Sequence, residues 1–169
     1  MRKTPILALI IASFITVTAM ISCQNDDDES SENNIVNNAD VSPSELDMQV
    51  FDLINKHRES IGVTKLIFNE EVFKKAYEHT QYMVKQNNLS HDGFEDRISA
   101  IENIYSIGVS AENVAYNYST NAEDVVNQWL DSEGHKNNLE TDELTHSAVA
   151  TINDNGKIYY TQLFIEINQ

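Results

Sequence analysis

Two of the five histidines in this chain, His135 and His146, lie in DSEGHKNNLETDELTHSAV (residues 131–149). They stand among small and polar residues, not on an apolar helical face. His91, in LSHDG, likewise sits beside a glycine at the end of a helical pattern. Loops and element ends are where sites are usually built. Glu112, in SAENVAY, has small and apolar neighbours. A carboxylate there is costly unless it is paired, and a histidine is its natural partner, because the carboxylate fixes the tautomer and holds the ring. His91, Glu112, His135 and His146 therefore form one candidate site. Two neutral imidazoles and a carboxylate can hold Zn²⁺ or another divalent cation with a coordination position left open. His57 and His79 read as packing or surface residues. Residues 44–169 contain no thiol, no GxSxG, no HExxH and no glycine-rich phosphate loop. Ser132, near a histidine, is the one place where a serine nucleophile is conceivable.

The elements that must position these groups follow from periodicity and caps. Ser44 caps a helix carrying Leu46, Val50, Leu53, Ile54 and His57 at helical spacing, and Gly62 ends it. VTKLIFN is a short extended link. Asn69 caps a second helix whose stripe is Val72, Phe73, Ala76, Thr80, Met83 and Val84, and Asn87–Asn88 stop it. A loop and a short helix follow around His91. VSAENVAYNYST is a strand or an extended loop. Thr120 or Asn121 caps a helix with Val125, Val126 and Trp129 on one face. His135 then falls in the loop after it. HSAVATI and KIYYTQLFIEI flank NDNG, the signal of a β-hairpin. The expected class is α+β, with helices covering a small antiparallel sheet.

Residues 1–22 read as an export signal: Arg2 and Lys3, then an apolar run from Ile6 to Ile21. That run is short for a membrane span, contains Ser13, Thr16 and Thr18, and lacks a basic stop. Residues 23–43 read as a tether and 44–169 as the domain. Residues 24–45 hold seven acidic side chains and no Lys or Arg, a composition that cannot form a core. The whole chain carries a net charge of −16. Loss of Arg2 and Lys3 with residues 1–22 makes it −18, and the 9 basic and 20 acidic side chains of residues 46–169 leave that part at −11. Nucleic acid and anionic membrane surfaces are repelled, whereas cations and neutral ligands are compatible. With one cysteine, Cys23, there is no disulfide, and the fold relies on its core.

MISC, ending at Cys23, resembles a lipobox, which implies that Cys23 becomes the first mature residue and carries lipid. QNDDDE after it resembles acidic signals that send lipoproteins of some Gram-negative bacteria to the cell surface; a solvated spacer reads equally well. Together these imply an outer-membrane lipid anchor in the cell envelope. In order along residues 47–167, the domain resembles the bacterial branch of the CAP superfamily (SCP-like; cysteine-rich secretory, antigen 5 and pathogenesis-related 1 proteins). LSHDG is similar to its first site histidine, AENVAY to its GEN motif (Glu112, Asn113), and VVNQWLDSEGHKNNL to its W-x-x-S-x-x-H-R-x-N-[IL] motif (Trp129, Ser132, His135, Asn138, Leu139). LTHSAVA resembles its T-H-x-G-V-G strand (His146), and YYTQLF its closing strand (Tyr159, Gln162, Phe164).

The resemblance implies an α/β/α sandwich with an open cleft, and His91 and His146 facing each other across it. In many members such a pair binds zinc or another divalent cation, with Glu112 holding one ring and Ser132 and Asn113 on the ligand side; in eukaryotic members a second Glu completes a tetrad, and near that place this chain offers Ser132, Glu133 and His135, of which His135 matches the bacterial motif. Ala111, Ala148 and Ala150 depart from the family's glycines and Lys136 from its arginine, which bears on the shape of the ligand site more than on the fold. The leading expectation is a monomeric binding module. A metal-dependent hydrolase of peptide or cell-wall material, with Glu112 as base, is the alternative. Lipid or sterol capture is a third reading, and no groove for it is visible in the sequence.

Overall fold

The computed structural model describes residues 41–168. The export signal, Cys23 and most of the tether therefore lie outside the described residues. Five helices and four strands follow in the order α1 (Glu45–Ser60), β1 (Ile67–Phe68), α2 (Glu70–Gln86), α3 (Phe94–Glu102), β2 (Ile107–Asn117), α4 (Ala122–Leu130), α5 (Glu133–Glu140), β3 (His146–Asp154) and β4 (Lys157–Ile167). The sheet runs β1-β3-β4-β2. Strand β1 pairs parallel with β3, and the other pairings are antiparallel. Helices lie on both faces of the sheet, so the class is α+β and the layering is helix–sheet–helix.

Local chemistry sets the ends of these elements. Ser44 and Asp47 form a reciprocal capping box at α1. The Asn69 side chain accepts from the backbone N–H groups of Glu71 and Val72 to open α2. Asn87 closes α2 in the left-handed conformation with φ 49°, which Asn tolerates better than most residues. The β3–β4 turn places Asn155 at φ 52° and Gly156 at φ 92°, the two positive values that a tight hairpin of matching twist requires.

Packing follows strand alternation. Val149, Tyr160 and Phe164 face a core built with Val50, Phe51 and Ile54 of α1 and Val125 and Trp129 of α4. Ala148, Ala150, Leu163 and Ile165 face Val72, Phe73 and Ala76 of α2 and Ile98 and Ile101 of α3. Val41, inside the segment expected to be tether, packs against this second cluster. Ala148 and Ala150 are fully buried against it, so the two methyl groups that depart from the family's glycines fill the α2 face.

Two features depart from the sequence-based expectation. Residues 133–140, read as loop, form helix α5, in which Leu139 is the buried residue. Helix α1 turns a charged residue inward: Arg58 is 0% exposed. Its guanidinium donates to the carbonyls of Thr64, Leu139, Thr141 and Leu144 at 2.7–3.1 Å. It thereby ties the end of α5, and the approach to β3, onto α1.

Candidate functional site

The middle of β2 carries Glu112, which meets His91 on one face of the sheet, and Asn113, which meets the His135 backbone on the other. Glu112 lies on β2, opposite Leu163 of β4, on the face that meets α2 and α3. Its side chain is 2% exposed, and both carboxylate oxygens are engaged. Oε1 accepts from His91 Nδ1 at 2.8 Å. Oε2 accepts from Arg97 Nε at 3.1 Å and Nη2 at 2.6 Å. Because a carboxylate only accepts, His91 donates to it from Nδ1, and the His91 side chain is 56% exposed.

Arg97 reaches Glu112 because Gly93, at φ 72°, caps α3 and turns the chain so that the first turn of the helix folds back. Its Nη1 also donates to the Asp92 carbonyl at 2.6 Å. His79 completes the setting from α2. It is buried, its Nε2 donates to the Ser90 carbonyl at 2.6 Å, and the same nitrogen lies 3.9 Å from Glu112 Oε1. Burial holds the His79 imidazolium down, against the pull of Glu112. A hollow of about 350 Å³ opens beside this group, lined by Glu78, His79, Tyr82, Asp92, Gly93 and Arg97.

His135 arrives from the opposite layer. Asn113, one residue after Glu112, points to the other face of the sheet and is fully buried. Its amide donates to the His135 carbonyl at 3.2 Å, and its Oδ1 accepts from Asn138 at 2.9 Å. Asn138 also donates to the Glu112 carbonyl at 3.2 Å. The two asparagines clamp α5 to β2 and set His135 in the first turn of that helix. Burial lowers the pKa of His135, and the charge of His91 lowers it further. His135 Nδ1 is buried with no hydrogen-bond partner among the described residues. Asn113, expected on the ligand side, makes its bonds inside the fold. Ser132 is the half-buried N-cap of α5, and its side chain makes no cap hydrogen bond.

His146 is not brought to this group. It opens β3, in register with Ile67 of β1 and Ile165 of β4. Strand β4 separates β3 from β2, so about 10 Å of sheet width lies between His146 and the strand of Glu112. Its Nδ1 lies 2.8 Å from the Thr145 hydroxyl, and it lines a separate hollow of about 260 Å³ with Thr64, Lys65, Ile67 and Asp142. His91 and His146 share no hydrogen-bond partner among the described residues.

Sequence reasoning passed over Arg97 and His79. FEDRISAIE reads as a solvated acidic helix in which one arginine has no evident task. His79 carries a weak signal, since it sits at the edge of the buried stripe of α2. His57 bonds Glu140 at 2.8 Å and takes no part in the cluster.

As a metal centre the donor set is sparse. Among the described residues no three His, Cys, Asp or Glu side chains are grouped to hold an ion. The unbonded imidazole nitrogens near Glu112 are His91 Nε2 and the buried His135 Nδ1. Glu112 holds the His91 ring and is not free to coordinate.

Residues 51–164 match the model of the CAP family, the cysteine-rich secretory protein family, and the chain belongs to it. The uncharacterized membrane protein YlbC of Bacillus subtilis is 32% identical over 123 residues, 70% of this chain and 34% of that protein. The chain thus spans about a third of the length of that relative. Among solved structures, an extracellular protein containing an SCP domain from Bacillus anthracis superposes with a TM-score of 0.63 at 27% identity, over 72% of this chain and 40% of the other. An outer surface protein of Borrelia burgdorferi has the same fold, with a TM-score of 0.68 at 19% identity, over 76% of this chain and 97% of the other.

Proposed function

We propose that this protein is an extracytoplasmic CAP domain, tethered by lipid at Cys23 to the cell envelope, that binds a divalent cation of the zinc type or a small ligand through His91 and His135. One observation carries the reading. Glu112 fixes the His91 ring through Nδ1, and the Asn113–Asn138 clamp holds α5 to β2 at the His135 backbone. A carboxylate behind an imidazole fixes its tautomer and raises its basicity as a ligand. Zinc chemistry would supply a Lewis-acidic centre with open positions, while this chain's residues hold and orient the two imidazoles. The relatives' extracellular and outer-surface settings support the location, as does the acidity of residues 24–45.

Calorimetric titration of the purified, untagged protein with Zn²⁺ tests this. Binding that disappears in His91→Ala and in His135→Ala, but persists in His146→Ala, is the expected result. Equal heats in all four proteins would reject it. The hydrolytic reading has one observation in its favour, the Glu112–His91 bond, which is the geometry of a general-base pair. With both oxygens of Glu112 bonded, His91 Nε2 is the base in that reading, and turnover of a peptide or muropeptide abolished by His91→Ala supports it.

A further inference from the structure

His146 is the imidazole that the His91 site leaves over, and it lies toward the opposite edge of the sheet. Strand β1 forms that edge, and Ile67 stands opposite His146 in the β1–β3 pairing. The Thr145 hydroxyl accepts from the Ile167 N–H at 3.0 Å, which draws the end of β4 to the start of β3. Its own proton goes to the nearer acceptor, His146 Nδ1 at 2.8 Å, and not to the Ile165 carbonyl at 3.4 Å. The neutral ring then carries its hydrogen on Nε2, which has no hydrogen-bond partner among the described residues. Burial disfavours the charged form of this ring.

These groups border the hollow of about 260 Å³. Ile67, Leu144 and Ile167 give it apolar walls, and Lys65 and Asp142, both exposed, add opposite charges. Ile67 is 59% exposed, so a ligand seated on it removes apolar surface from water. Lys65 Nζ meets Glu59 at 3.0 Å, but both side chains are more than half exposed, and such a pair holds the ammonium only loosely. Asp142 makes no hydrogen bond among the described residues; Arg58, whose charge it supports, spends its N–H groups on four carbonyls.

We propose that this hollow is a second binding site, for a free α-amino acid with a branched apolar side chain. Lys65 and His146 Nε2 take the carboxylate, Asp142 takes the ammonium, and the side chain covers Ile67, Leu144 and Ile167. A zwitterion matches the two charges, whereas a fatty acid sets its carboxylate against Asp142 and a simple amine sets its ammonium against Lys65. The volume lies below the roughly 300–1,000 Å³ of pockets for drug-sized ligands, so it suits one amino acid and not a longer chain. The site is independent of His91 and of any cation bound there.

The ¹⁵N-labelled full-length protein in detergent is titrated with L-leucine, with L-leucinamide, which lacks the carboxylate, and with N-acetyl-L-leucine, which lacks the ammonium. L-Leucine is expected to shift the backbone amides of Lys65, Ile67 and Thr145 saturably, leaving those of His91 and Gly93 in place. Each analogue should bind roughly tenfold more weakly, for the loss of one charge-assisted interaction. Lys65→Met should erase the preference for leucine over leucinamide, and Asp142→Asn the preference over N-acetyl-leucine. His91→Ala should bind leucine as wild type does. The three compounds compared on the wild-type protein need no variant to fold. Absence of saturable shifts with L-leucine, or equal affinity for all three compounds, overturns the proposal. Either result leaves the His91 site to be decided by its own Zn²⁺ titration.

Discussion

Asn138 shows how much of the site depends on groups that touch no ligand. Its amide bridges the Asn113 side chain and the Glu112 carbonyl, joining α5 to β2. Asn138→Ala leaves the fully buried Asn113 oxygen without its donor, at a cost of about 1–3 kcal/mol. It also loosens α5 from β2, so Zn²⁺ affinity should fall in parallel with the unfolding midpoint in urea, whereas Lys136→Ala should change neither. At this scale the sequence was partly legible. Glu112 and His91 stood out because a carboxylate among apolar neighbours needs a partner. Arg97 did not, because an arginine in an acidic helix looks like any solvated charge, and only the fold-back at Gly93 aims it inward. His146 was singled out by its place at a strand start and paired with His91 by the family resemblance, and neither reveals that β4 lies between its strand and that of Glu112.

Among the elements, the well-capped ones were the legible ones. Helices α1 and α2 announce themselves through Ser44 and Asn69, and the hairpin through NDNG, because each signal is a local backbone requirement. Helix α5 has no such signature: EGHKNNLE is polar, follows a serine that makes no cap bond and buries only Leu139. What holds it is remote. The Arg58 guanidinium gathers carbonyls from both ends of the Leu139–Leu144 segment. Arg58→Met therefore removes a fully buried charge together with the donors to four carbonyls, and should cost about 3 kcal/mol or more. Arg58→Lys should recover only part of that loss, since an ammonium cannot reach four carbonyls spread around a planar fork. Chemical denaturation measures both.

For the whole molecule, acidity acts through one buried histidine, His79, and two half-buried ones, His135 and His146. Burial lowers the pKa of His79, His135 and His146 below the ordinary imidazole value. The unfolded chain therefore binds more protons than the folded one as pH falls below about 6.5. Stability is full above that value and is lost on acidification toward the folded-state pKa values. Each group contributes at most about 1.4 kcal/mol per pH unit. Asp47 works in the opposite sense over its own window, because burial raises its pKa and folding there takes up a proton. With EDTA present, the melting temperature should fall between pH 7.5 and 5.5, with a shallower slope in His79→Gln; a flat profile would contradict the burial of these rings. Attachment belongs to the same scale. Cys23→Ser should abolish incorporation of radiolabelled palmitate and move the protein from the membrane fraction to the soluble fraction.

The proposed pairing of His91 with His135 on a cation is tested most directly by long-range ¹H–¹⁵N spectra of the imidazole nitrogens, recorded during titration with Zn²⁺. The geometry predicts His91 as the Nδ1–H tautomer before metal is added, then zinc-dependent shifts at His91 and His135 with His146 unmoved. Zinc-dependent shifts at His91 and His146, with His135 silent, would contradict it.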